Sequence, residues 1–99
     1  MRIQFERSGG FAGLLVQKTI DTDSLPLQEA DKLVNLVEEA NFFDLPAQIS
    51  APSPGADQFQ YKVTVEEGDQ RHTVEIIEPA SPDALRQLLR ELTLRARSS

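Results

Sequence analysis

"QFQYKVTVEEGDQRHTVEII", Gln58 to Ile77, alternates apolar and polar residues on either side of a short acidic, glycine-containing centre. Phe59, Tyr61, Val63 and Val65 fall on one face, and Gln58, Gln60, Lys62 and Thr64 on the other. That is the two-residue period of a half-buried strand. "EEGDQ" turns the chain around, and Val74 and Ile76 resume the apolar face in "RHTVEII". The stretch reads as an antiparallel hairpin with one face to bury, so the rest of the chain must supply its cover.

Toward the N-terminus, Ile3 and Phe5 alternate with polar neighbours in "MRIQFE", and "LLVQKTI" is rich in β-branched and long apolar residues. Both read as strands. Between them lies "RSGGFAG", Arg7 to Gly13. A phosphate-binding loop needs its glycines to open a helix, commonly before Lys and Ser or Thr, and neither condition holds. The glycines predict a hairpin connection with positive φ angles and bulge geometry, carrying Phe11 at its tip.

The period changes in "DTDSLPLQEADKLVNLVEEANFFDLP", where Ala30, Leu33, Val34, Val37 and Ala40 recur at helical spacing. Asp23 or Ser24 is the expected cap, with Pro26 in the first turn. Pro46 prevents the helix from continuing, and one ring of Phe42 and Phe43 is expected to plug the core edge. "AQISAPSPGADQ", Ala47 to Gln58, has no period and reads as a long loop. A second helix opens in "SPDALRQLLRELTLRA", with Ser81 as cap, Pro82 at the first helical position and Asp83 in the first turn. Its apolar stripe is Leu85, Leu88, Leu89 and Leu92, and the residues after Arg95 are expected to fray.

The expected architecture is therefore α+β, ββαββα: a four-stranded, mainly antiparallel sheet with two helices packed on one face, as a single domain over residues 1–99.

Composition narrows the function. The chain carries a formal net charge of -6 and a pI near 4.6. Such a surface repels nucleic acid and anionic membranes, so neither is an expected partner. Arg86, Arg90, Arg95 and Arg97 gather in the last helix and its end, where cations complement the helix dipole. Cysteine is absent, so stability is expected from packing alone. No basic segment with an apolar run opens the chain, and no apolar run is long enough to span a membrane; a soluble, cytoplasmic monomer is the expectation.

His72 is the single histidine. One His and no Cys cannot assemble the usual zinc or copper sets, so no metal, cofactor or catalytic residue is expected. Glu38 with Glu39 and Glu66 with Glu67 read as solvated carboxylates rather than an acid–base pair. What remains is a platform carrying a glycine hairpin and a Pro/Gly loop, an arrangement suited to recognition.

"MRIQFERSGGFAGL", "GADQFQYKVTVEEG", "HTVEI" and "SPDALRQLLRELT" follow one another as in the emfourin family of small bacterial proteins, and the resemblance covers nearly the whole chain. "ERSGGF" and "DQFQY" are its most distinctive parts. The resemblance implies an inhibitor of thermolysin-like zinc metallopeptidases of the protealysin type, without a metal of its own. Gly9, Gly10 and Phe11 of the hairpin, and Pro54, Gly55, Ala56 and Asp57 of the loop, are the candidate contacts. Phe11 either fills an apolar specificity pocket or folds back over the sheet edge. Asp57 either approaches the enzyme's metal or is a solvated turn residue or strand-end cap. The rival reading is a noninhibitory interaction module that binds another protein through its outer sheet face or acidic surface.

Overall fold

The computed structural model describes residues 1–9, 15–50, 59–77 and 83–97. The elements are β1 (Arg2–Gly9), β2 (Val16–Asp21), α1 (Leu27–Glu39), β3 (Gln48–Ser50), β4 (Phe59–Glu67), β5 (Gln70–Ile77) and α2 (Asp83–Arg97). The strands form one sheet in the order β2-β1-β4-β5-β3.

Alternation placed the two hairpins correctly. β4 and β5 pair antiparallel from Gln60↔Ile77 to Glu67↔Gln70, and β1 pairs antiparallel with both β2 and β4. Gly68 and Asp69 make the two-residue turn, with Gly68 at φ 59 and no positive φ at Asp69. A positive φ confined to the first central position is the II′ arrangement, whose twist matches that of the flanking strands.

The expected count of four strands, mainly antiparallel, needs correction: the sheet has five and is mixed. Gln48–Ser50, inside the stretch read as a loop, runs parallel to β5 with Ile49 opposite Ile76. Glu75 donates its backbone N–H to the Ala47 carbonyl at 2.8 Å, extending the contact one residue further. Three residues are too few to display a period, and their strand state comes from the open edge of β5 rather than from their own sequence.

The start of α1 also differs. Thr22–Ser24 form a 3-10 turn closed by the Asp21 carboxylate, which accepts from the Asp23 N–H at 3.0 Å. Pro26 therefore occupies the cap position, and its carbonyl accepts from the Ala30 N–H at 3.0 Å. α1 stops before Pro46 becomes relevant, because Asn41 takes the left-handed conformation (φ 50, ψ 49) that Asn tolerates better than most residues. Ser81 and Pro82, the expected start of α2, lie outside the described residues; the helix itself continues to Arg97.

One face of the sheet is apolar and covered. Ile3, Phe5, Ile20, Tyr61, Val63, Val65, Val74 and Ile76 are buried there with Leu33, Val37 and Ala40 of α1 and Leu85, Leu88, Leu89 and Leu92 of α2. Phe42 completes the cluster, with Phe43 half-buried at its edge and the two rings edge to face at 6.1 Å. Each large side chain buried in this way stabilises the fold by about 1.5–3 kcal/mol. Charges fasten the helices to each other at the surface: Glu91 meets Arg95 at 3.1 Å and Lys32 at 3.3 Å, and Arg95 reaches Glu29 at 3.3 Å.

Candidate functional site

The two ends of the sheet are built differently. At one end the connections are short and tied: the Gly68 turn, the Met1 ammonium on Glu67 at 3.3 Å, and Thr22, which donates both its N–H (2.9 Å) and its hydroxyl (3.1 Å) to the Met1 carbonyl. The other end is marked by the row Ser8, Gln60, Ile77 and Ser50. β1 and β5 leave the sheet there, β3 ends there, and β2 and β4 enter it there. Segments 10–14, 51–58 and 78–82 all attach at this end, which is thus the end that carries the longer connections.

β1 outruns its neighbour. Arg7 pairs with Val16, the first residue of β2, but Ser8 and Gly9 continue along β4 opposite Gln60 and Phe59. Gly9, expected in the turn, is therefore the last residue of a strand. Its φ of 97 lies where side chains with a Cβ are strained. Partners across an antiparallel ladder sit about 4.5–5.5 Å apart, so the roots of the glycine connection and the Pro/Gly segment are neighbours. Leu15, at the β2 root, is 59% exposed.

Of the candidate contacts, Gly9 alone is placed by the structure. Gly10, Phe11, Pro54, Gly55, Ala56 and Asp57 lie outside the described residues. What the fold does bring together is the point from which both segments spring.

Sequence reasoning did not single out Arg7, and it read Phe59 only as part of an apolar strand face. The Arg7 guanidinium carbon lies 3.8 Å from the centroid of the Phe59 ring, and its Nε is buried with no hydrogen-bond partner. One rung inward, the Phe5 ring meets Tyr61 in a tilted contact with centroids 6.1 Å apart. A readable signal existed: Ile3, Phe5 and Arg7 share a strand face, and a charge in an apolar series marks a special environment.

Elsewhere two of the titratable groups singled out in the sequence have structural partners. His72 Nε2 is 2.7 Å from the Leu45 carbonyl oxygen, and its ring meets Phe42 edge to face at 5.8 Å. It fastens the turn after α1 to β5. Glu66 pairs with Arg71 at 3.5 Å, while Glu38 and Glu39 are exposed. Among the described residues, no three His, Cys, Asp or Glu side chains converge as metal ligands, and no helix is long and apolar enough to cross a membrane. On the outer sheet face, a shallow depression of about 330 Å³ is lined by polar side chains, including Gln4, Thr19, Lys62, Thr64 and Thr73.

The family model described as Emfourin matches residues 5–93, nearly the whole chain. No curated protein and no solved structure matches it.

Proposed function

The chain belongs to the emfourin family of protease inhibitors, and on that footing we propose that it inhibits a thermolysin-like zinc metallopeptidase of the protealysin type. The inhibitor binds as a monomer, in the cytoplasm, and occupies the active-site cleft with the segments rooted at the loop-bearing end of its sheet. The observation that carries the reading is the adjacency of those roots: Gly9 and Phe59 are direct partners, so one cleft can receive both segments.

Gly10 and Phe11, together with Pro54, Gly55, Ala56 and Asp57, are the proposed contacts. Phe11 offers an aromatic anchor for an apolar specificity pocket, where a single buried ring can carry much of the affinity. Asp57 offers a carboxylate toward the enzyme's metal. A protein inhibitor escapes cleavage when a rigid scaffold holds its inserted segment in a nonproductive pose, and the buried cluster that joins the sheet to both helices suits that role. The tied-off far end of the sheet supplies such a scaffold.

The test is a titration of the purified protein into such a peptidase, followed by peptide hydrolysis. Stoichiometric loss of activity with the inhibitor recovered uncleaved is expected. Full activity at large molar excess against the cognate enzyme would transfer the reading to a noninhibitory interaction module.

A further inference from the structure

Arg7 occupies an inward position in the rung Val16, Arg7, Tyr61, Ile76, on the face that the helices cover. Its neighbours on that face of β1, Ile3 and Phe5, are buried apolar residues. A guanidinium placed there loses water, and the unpartnered Nε shows that this loss is not repaid by a hydrogen bond at that atom. Among the described residues, the contact that faces the guanidinium is the Phe59 ring, 3.8 Å from the guanidinium carbon.

The register explains how the two meet. Arg7 is paired with Tyr61 and Gly9 with Phe59, so Arg7 and Phe59 are diagonal neighbours on one face, within reach of long and aromatic side chains. Gly9 has no side chain to fill the space directly opposite Phe59. Arg7 lies over the ring, with its guanidinium carbon 3.8 Å from the centroid. Phe59 is also the first residue of β4, and Gly9 the last of β1.

We propose that Arg7 is a positioning residue of the inhibitory end: by stacking on Phe59 it fixes the direction in which the chain leaves β1 after Gly9 and enters β4 after residue 58. This rests on the reading of that end as the peptidase contact. Arg7 need not touch the enzyme. It removes freedom from the two roots before binding, and preorganisation of that kind lowers the entropy lost on association.

The test compares Arg7→Met, which keeps an apolar stem without the cation, with Arg7→Lys, which keeps a cation. Three readouts are taken: the inhibition constant, the melting temperature, and cleavage of the inhibitor during incubation with the peptidase. For Arg7→Met an inhibition constant raised about tenfold is expected, the size of a partly desolvated cation–π contact. Cleavage within 51–58 should appear while the melting temperature stays within a few degrees of wild type, and Arg7→Lys should recover most of the inhibition. An unchanged inhibition constant overturns the proposal, as does a loss that tracks melting temperature and is not rescued by Lys. If the wild-type protein does not inhibit, the functional reading fails separately. Amide exchange of the free protein then decides the clamp: faster exchange at Gly9, Phe59 and Gln60 in Arg7→Met supports it, and unchanged exchange overturns it.

Discussion

Replacing Glu91 by Gln keeps the shape of the side chain and removes the charge at the centre of the α1–α2 contact. Glu91 accepts from Arg95 Nε at 3.1 Å and meets Lys32 Nζ at 3.3 Å. The Glu91 and Arg95 side chains are only 16% and 17% exposed, whereas Lys32 is 59% exposed. Solvent therefore screens the Lys32 contact, which belongs with surface pairs contributing about 0–1 kcal/mol. The Arg95 contact is a sheltered charge-assisted hydrogen bond, a class contributing about 1.5–3 kcal/mol. A neutral amide still accepts one hydrogen bond, and Arg95 keeps Glu29 at 3.3 Å, so the loss falls at the low end, about 1.5 kcal/mol. For a domain of this size that corresponds to a melting temperature lower by roughly 6–12 °C. Urea unfolding followed by circular dichroism measures it, with Glu38→Gln as an exposed control. Repeating the series at high salt should shrink the Lys32 part more than the Arg95 part. A Glu91→Gln protein within about 0.3 kcal/mol of wild type would refute the reasoning and leave the charge of Glu91 without a part in holding the helices.

Leu88 is fully buried in the stripe of α2, so Leu88→Ala should cost about 2–5 kcal/mol in denaturant unfolding, while inhibition measured well below the transition stays intact. Gly68 sits at φ +59 with nothing within 4 Å of an added Cβ, so Gly68→Ala meets backbone strain without a clash. It should lose about 1 kcal/mol of stability and, lying at the opposite end of the sheet from the proposed contacts, leave the inhibition constant unchanged. A Gly68→Ala protein that folds normally but inhibits poorly would place the contact at the wrong end.

The elements legible in the sequence were those whose own residues dictate their state. Val63 and Val65 against Val74 and Ile76 display a period of two, and Leu85, Leu88, Leu89 and Leu92 a helical stripe; burial followed both patterns. β3 was illegible because Gln48, Ile49 and Ser50 become a strand only by meeting β5, a partner 27 residues away along the chain. Asp23 and Ser24 resemble helix caps in isolation, yet the carboxylate of Asp21 had already committed them to a 3-10 turn. At the candidate site, the glycines announced a connection but not that Gly9 would remain in the ladder opposite Phe59. That pairing depends on β4 as much as on β1. Arg7 could have been singled out as a charge on an apolar strand face, although its aromatic partner 52 residues away could not.

The central claim is that the loop-bearing end of the sheet engages the peptidase. Amide hydrogen exchange of the protein, free and bound to a thermolysin-like metallopeptidase, tests it most directly. The account requires protection on binding at residues 10–14 and 51–58 and at their roots, Gly9 and Phe59, with the Gly68 turn unchanged. Protection at the Gly68 turn or across the outer face around Thr64 and Thr73, with none at those segments, would contradict it.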